Sequence, residues 1–120
     1  MNTKSDINLV EKACTAQEIF QRDTRWINEC HMIIAEVSTP SHGVGFEIDY
    51  GLSIGKPVYC FHCSDKVISK MFIGNPTEYL NITHYDNGEE LCTKVHHLIV
   101  YCRQDKYHVN PMTLCIGKID

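Results

Sequence analysis

Two carboxylates, Asp23 and Glu47, are the side chains of this sequence best placed to do chemistry. Asp23 lies at helical offsets of three and four residues from the apolar residues of a predicted helix. Glu47 lies four residues from Gly43 and four from Gly51, so a helix would leave the surface around this carboxylate bare. Two such groups can divide the roles of acid and base or nucleophile at a sugar carbon, which is how glycosidic bonds are cleaved.

A plain surface location is the other interpretation of these two residues. Asp23 would then pair with Arg22 or with Arg25, and Glu47 would be solvated. The spacing of the residues, taken alone, favours this second interpretation.

A turn of small residues between the two carboxylates is a candidate anion site. Ser41 is predicted to cap a helix, so the backbone N–H groups of His42, Gly43 and Val44 would point out of its first turn. A protonated His42 would add positive charge. The glycines could instead merely route the chain, and composition does not separate these interpretations. The Walker A pattern is absent, and Ile48 stands where the dinucleotide-binding fingerprint needs a third small residue.

Cys60 and Cys63 have the spacing of half a zinc or redox site. The sequence has no second pair of cysteines with this spacing, and the segment has the residue types of a strand. Packing in a sheet is therefore favoured over metal binding, and no metal or cofactor is expected.

Strands and helices that alternate along the chain must position these residues. Apolar runs, capping residues and helical periodicity predict helices over residues 15–29, 43–53, 66–73 and 89–104 and strands over 32–37, 58–62 and 79–85. The last of these strands is expected at an edge, and residues 112–116 as a short strand or a packed terminus. This order indicates an α/β fold with a parallel sheet and flanking helices. Ligands bind such sheets at the carboxyl ends of the strands, where residues 38–45 form a loop.

The composition restricts the class of protein. A chain of 120 residues with 43% hydrophobic content predicts one globular domain over residues 1–120. The net charge of -4 argues against binding to a nucleic acid polymer or an anionic membrane. No apolar stretch is long enough to span a membrane and the polar start is not a signal peptide, so the cytosol or the nucleus is expected. The seven cysteines are then expected to be reduced.

The central run of the sequence, residues 33–48, closely resembles the signature of 2'-deoxynucleoside 5'-phosphate N-hydrolases, within the nucleoside 2-deoxyribosyltransferase-like superfamily. The likeness continues through residues 55–57 and 66–71 and reaches back to Asp23 and Trp26, so it covers residues 16–75. The residues at 39–41 point to the hydrolase branch of the superfamily.

This resemblance implies a Rossmann-like or flavodoxin-like fold and hydrolysis of deoxynucleoside 5'-monophosphates to free base and deoxyribose 5-phosphate. Glu47 would be the nucleophile that attacks the anomeric carbon, forming a glycosyl-enzyme ester that water then cleaves. Asp23 would orient the sugar or assist proton transfer.

The resemblance also implies where the phosphate binds. Ser41 and the following turn, with His42, Gly43 and Gly45, would hold the 5'-phosphate. Ser69 would reach the phosphate in the partner's site of a homodimer.

One departure from the family concerns the start of the domain. Family members begin with a strand and a Gly-rich loop that carries an aromatic residue and an arginine, followed by a helix and a second strand, and this sequence has no counterpart. The strand at 32–37 is therefore expected to form an exposed sheet edge. Two alternatives follow: a noncatalytic remnant that binds nucleotides or dimerises, and a nucleoside deoxyribosyltransferase.

Overall fold

A four-stranded parallel sheet forms the centre of the computed structural model, which describes residues 14–105 and 113–117. The elements in chain order are α1 (Ala16–Glu29), β1 (Met32–Glu36), α2 (His42–Ser53), β2 (Val58–Cys63), α3 (Lys70–Ile73), β3 (Leu80–Tyr85), α4 (Gly88–Asp105) and β4 (Thr113–Ile116). The strand order is β3-β2-β1-β4, and every pairing is parallel. The predicted α/β fold with a parallel sheet is confirmed.

Helix α1 begins at the capping residue that the sequence predicts. The Oγ1 atom of Thr15 accepts a hydrogen bond from the backbone N–H of Glu18 at 3.1 Å, which satisfies one of the free donors of the first turn. The helix ends where Cys30 adopts an extended backbone. Ile27 is fully buried on the side of α1 that faces the sheet.

Strand β1 holds the two halves of the core together, because its side chains alternate between the faces of the sheet. Ile33 and Ala35 belong to one buried cluster, together with Ile27 of α1 and Ile48 of α2. The other three residues of β1 are also buried, and Met32 lies in a second cluster with residues of α4. Burial on both faces of the sheet explains why four of the five residues of β1 are apolar, with Glu36 as the exception. Among the described helices, none is both long and apolar enough to cross a bilayer.

The expectation that residues 32–37 form an exposed edge is wrong. Strand β4 pairs with β1 on the side away from β2, with Met32 opposite Thr113 and Ala35 opposite Ile116. An apolar strand with unpaired N–H and C=O groups along one side is a ready template for another strand. Residues 113–116 satisfy those groups and bury Ile116, so the first of the two expectations for this segment, a short strand, is the structure it adopts.

Helix α3 is shorter than predicted, since it begins at Lys70 and not at Lys66. The backbone N–H of Lys66 bonds to the carbonyl of Cys63 at 3.0 Å, which makes a turn at the end of β2. Val67, a β-branched residue of modest helix propensity, is 95% exposed within the irregular segment that follows. Strand β3 lies at an edge of the sheet as predicted, with β2 as its one neighbour.

The cysteine pair of β2 divides between the core and the strand end. Cys60 is buried among apolar side chains, and this burial raises the pKa of its thiol to about 12. Cys63 is partly exposed. Within the described residues no three His, Cys, Asp or Glu side chains converge as metal ligands would.

Candidate active site

The start of α2 lies at the carboxyl end of β1 and carries most of the candidate residues. Ser41 caps the helix as predicted, since its Oγ atom accepts from the backbone N–H of Val44 at 3.3 Å. The carbonyl of Ser41 accepts from Gly45 at 3.1 Å, which is the first bond of the helical ladder. The turn lies at the carboxyl end of β1, as predicted, and ligand binding there stays a prediction.

One flank of this helix start faces α1 and brings the two carboxylates together. We call the small hollow there, of about 100 Å³, the carboxylate pocket. Its lining consists of Phe20, Asp23, Thr24, Ile27, Gly43, Phe46 and Glu47. The two residues that the sequence singled out from different helices thus border one space.

Asp23 also makes the ion pair that the surface interpretation requires. The Nε atom of Arg22 donates to its Oδ1 atom at 2.9 Å, and both side chains are largely shielded from solvent. The Arg22 guanidinium lies 4.8 Å from the centre of the Trp26 ring, a cation–π contact. Asp23 therefore pairs with Arg22 and also lines the carboxylate pocket, so the two interpretations of this residue do not exclude each other.

Two exposed aromatic rings border the carboxylate pocket, and the sequence analysis did not identify them as candidate site residues. Phe20 is 55% exposed and Phe46 is 51% exposed, with ring centres 6.0 Å apart. Large apolar side chains that remain this exposed beside a pocket often mark a binding surface. The signal available in the sequence was position, since Phe20 lies three residues before Asp23 and Phe46 lies next to Glu47.

The two glycines that flank Glu47 on α2 differ in what surrounds them. At Gly43 an added Cβ would meet nothing closer than the Ser41 hydroxyl, 3.9 Å away, so this position leaves open space. At Gly51 an added Cβ would lie 2.5 Å from the Cδ1 atom of Ile33. The expectation of a bare surface therefore holds at Gly43 only, because Gly51 allows α2 to pack closely against β1.

The opposite flank of α2 holds the hydroxyl-bearing candidates. We call the space there, of about 660 Å³, the hydroxyl cavity. Ser41, His42, Gly45 and Ser69 line it, together with apolar side chains of α2 and of the segment around α3. Four of the five predicted phosphate-binding residues thus border one cavity of a single protomer, and the fifth, Gly43, lines the carboxylate pocket. That Ser69 serves the site of a partner stays a prediction.

A buried carboxylate at the end of β1, Glu36, was missed by the sequence analysis. Glu36 is 6% exposed, and its oxygens accept from the backbone N–H of Ser38 at 2.7 Å and from the Ser38 hydroxyl at 2.8 Å. The hydroxyl of Tyr85 also donates to it. Burial, and then the neighbouring Glu36 carboxylate, raise the pKa of Tyr85, so the phenol remains a donor. The sequence contained a signal for Glu36, since it is the one acidic residue within the apolar run at 32–37.

Comparisons with known proteins show that this chain belongs to the nucleoside 2-deoxyribosyltransferase family. The family model of nucleoside 2-deoxyribosyltransferases matches residues 2–110, a wider range than the sequence motifs cover. A putative 2'-deoxynucleoside 5'-phosphate N-hydrolase 1 of Thermofilum pendens is 39% identical over 92 residues, which are 75% of this chain and 64% of that protein. The protein of the same name from Methanosarcina mazei is 37% identical over 86 residues, covering 72% of this chain and 53% of that protein.

More distant relatives include a mammalian enzyme and a solved structure. The 5-hydroxymethyl-dUMP N-hydrolase of Mus musculus is 38% identical over 66 residues, covering 53% of this chain and 38% of that protein. A CMP N-glycosidase of Clostridium botulinum superposes with a TM-score of 0.62 at 21% identity, covering 67% of this chain and 73% of that one. At this identity the structure supports the fold. The chain spans between about half and two thirds of the length of the first two relatives.

Proposed function

We propose that this chain, which belongs to the nucleoside 2-deoxyribosyltransferase family, hydrolyses the N-glycosidic bond of 2'-deoxynucleoside 5'-monophosphates. The observation that carries the proposal is that Asp23 and Glu47 line one pocket at the start of the helix that Ser41 caps. A substrate with a reacting sugar carbon and a phosphate needs a carboxylate pair close to an anion site. The names of the relatives support this class of reaction.

In the first step, a carboxylate oxygen of Glu47 attacks C1' of the deoxyribose. The C1'–N bond breaks, its electron pair leaves with the base, and a glycosyl-enzyme ester forms. Asp23, on the other wall of the pocket, orients the sugar or assists proton transfer to the leaving base. The Arg22 guanidinium bonded to Asp23 Oδ1 keeps that carboxylate in a fixed orientation.

In the second step, water attacks C1' and the ester bond to Glu47 breaks. Asp23 accepts the proton that the attacking water loses, Glu47 returns to its carboxylate form, and deoxyribose 5-phosphate is released. The open space at Gly43 leaves room for the sugar beside the nucleophile.

The phosphate is held by the first turn of α2. The Ser41 hydroxyl and the backbone N–H groups after it form a site for an anion at the positive end of the helix dipole. His42 borders the same cavity and adds charge when it is protonated. We further propose a homodimer in which Ser69 of one protomer reaches the phosphate bound by its partner, and the exposure of Val67 near Ser69 supports an interface there.

The base is placed against the exposed rings of Phe20 and Phe46. Both rings border the carboxylate pocket, so a nucleobase attached to a sugar carbon at Glu47 lies within reach of them. Stacking on an aromatic ring is available to every base, because each base has a π-face.

Incubation of the protein with the four deoxynucleoside 5'-monophosphates and chromatography of the products tests the proposal. Release of free base and deoxyribose 5-phosphate is expected, and nucleosides without the phosphate should react more slowly. No free base at protein concentrations at which a full-length relative is active would refute the hydrolase.

The same experiment separates two other candidate functions. The second candidate is a noncatalytic protein that binds nucleotides or dimerises. That candidate predicts binding of a monophosphate without release of base. A third candidate, deoxyribosyl transfer, is favoured by the matching family model and predicts a new nucleoside when an acceptor base is added.

A further inference from the structure

We propose that Glu36 is a positioning residue that holds the Ser38–Ser41 turn and thereby sets the preference of the site for a 5'-phosphate. This inference rests on the proposed function for its substrate. Its structural part, that Glu36 holds the turn in place, can be tested without any substrate.

The burial of Glu36 couples its carboxylate to the conformation of the turn. A carboxylate this far from solvent is stable only when hydrogen bonds replace its lost hydration. Two of the donors come from Ser38, through its backbone N–H and its hydroxyl, and the third is the hydroxyl of Tyr85. A turn that moved away would leave the charge without two of its three partners, so the charge disfavours that movement.

The carboxyl ends of the other three strands each contact Glu36 or Ser38. From β2, the backbone N–H of Cys63 donates to the Ser38 hydroxyl at 2.8 Å. From β3, Tyr85 donates to Glu36 directly. After β4, Gly117 has a φ of 88° and lies so close that an added Cβ would overlap the Glu36 carbonyl oxygen. Glu36 and Ser38 are therefore held by contacts from the other three strands.

The braced turn leads directly into the phosphate-binding residues. Pro40, whose φ is restricted by its ring, lies between Ser38 and the capping residue Ser41, so the segment that joins them has little conformational freedom. Glu36, Pro40, Ser41 and Gly117 also border one small cavity of about 260 Å³. A shift of the turn therefore moves the Ser41 hydroxyl and the start of α2.

The negative charge of Glu36 and its proposed positioning role predict opposite effects of Glu36→Gln on phosphate binding, which makes the proposal testable. Glu36→Gln removes a negative charge near the phosphate, and electrostatics alone would then strengthen phosphate binding. The amide also cannot accept at both of its ends, so the turn loses a partner and phosphate binding should weaken.

The test compares dissociation constants for a deoxynucleoside 5'-monophosphate and for the same nucleoside without phosphate, measured by titration calorimetry with Glu47→Gln present in every protein so that the substrate is not cleaved. Their ratio does not depend on the folded fraction of a variant. Glu36→Gln should reduce the preference for the monophosphate roughly tenfold, and Tyr85→Phe roughly fivefold, as expected for loss of one hydrogen bond. Tyr79→Phe, the same change at an exposed residue before the amino end of β3, is the matched control and should leave the ratio unchanged.

An unchanged ratio in both variants, or a stronger preference for the monophosphate in Glu36→Gln, would overturn the proposal. If Glu36→Gln does not fold, Tyr85→Phe alone decides, because it keeps the carboxylate.

Amide hydrogen exchange supplies the measurement that needs no ligand. The amides of Val44 and Gly45, both bonded to Ser41, should lose protection in Tyr85→Phe, while the amide of Ile54 at the far end of α2 keeps it. Equal protection at Val44 and Gly45 in variant and wild type would refute the positioning role whether or not the chain is a hydrolase.

Discussion

The two flanks of α2 differ in the size of the pocket each contains and in the residues that line it. The carboxylate pocket is small, contains both candidate catalytic acids and is bordered by aromatic rings. The hydroxyl cavity is several times larger and is lined by hydroxyls, by apolar side chains and by one carboxylate, that of Asp49. Residues three and four apart on a helix share a side, so Gly43 and Glu47 face α1 while Ser41 and Gly45 face the segment around α3.

In the proposed mechanism, this division separates bond cleavage from phosphate binding. An anion beside Asp23 and Glu47 would raise the energy of both carboxylates through repulsion. With the phosphate on the other flank, backbone dipoles at the helix start would bind it and the proposed nucleophile Glu47 would keep its charge. The predictions that follow remove one contribution at a time from each flank.

The largest effect is expected for Glu47→Gln, because it removes the proposed nucleophile of the carboxylate pocket. Release of base should fall by at least about 1,000-fold, as in other enzymes that lose a nucleophile. Glu29→Gln, the same change at an exposed residue at the end of α1, is the matched control and should keep the wild-type rate. Near wild-type turnover by the Glu47 variant would contradict the assignment of chemistry to this flank.

Loss of the second carboxylate should have a smaller effect on the rate. Asp23→Asn keeps the size of the side chain but removes its proton-transfer capacity, so kcat should fall about 100-fold. Asp49→Asn makes the same change in the hydroxyl cavity and should instead lower KM, since it removes a negative charge near the phosphate. Steady-state kinetics of both variants test the comparison, and similar losses of kcat in both would contradict the division.

Removal of an aromatic ring from the carboxylate pocket should lower kcat/KM for all four deoxynucleoside 5'-monophosphates. Phe46→Ala is expected to reduce kcat/KM about tenfold, because loss of stacking on one base costs about 1–3 kcal/mol. Phe46→Tyr keeps the ring and should restore most of the activity. An alanine variant with unchanged kcat/KM for all four substrates would show that the base lies elsewhere.

Ser41 has two roles that two substitutions separate. Ser41→Ala should raise KM for the monophosphate about fivefold, through loss of one hydrogen bond, and destabilise the protein by about 1 kcal/mol through loss of the cap. Ser41→Asp keeps a capping oxygen, so the melting temperature should stay near the wild-type value while the added charge repels phosphate. A low KM in Ser41→Asp would refute phosphate binding at this residue.

The last prediction concerns the packing of α2 and is measured as a change in stability. Gly51→Ala places a Cβ against Ile33 and should destabilise the protein by about 1–3 kcal/mol. Gly45→Ala meets nothing within 4 Å and should stabilise α2 by about 0.5–1 kcal/mol, because alanine loses less backbone entropy. Urea denaturation of both variants measures this difference, and equal signs would contradict the packing described for α2.

Much of the fold was predictable because it is encoded over a few residues. The caps at Thr15 and Ser41 depend on hydrogen bonds three residues away along the chain, and both were found. The length of α3 was not predictable in the same way. The turn at Cys63 and Lys66 competes with helix formation there, and its geometry is decided by the end of β2.

The sequence by itself determined the alternation of helices and strands, the helix caps, and the glycine-lined turn before the helix that carries Glu47. Periodicity and capping act within one or two helical turns, so they can be identified from neighbouring residues. Only the tertiary structure decided that residues 113–116 cover β1, that Asp23 and Glu47 share one flank, and that Glu36 is braced by Tyr85 and Gly117. These contacts join residues far apart in the chain. Their geometry depends on strand register and on which side of the sheet each helix packs, and no local pattern records either of these.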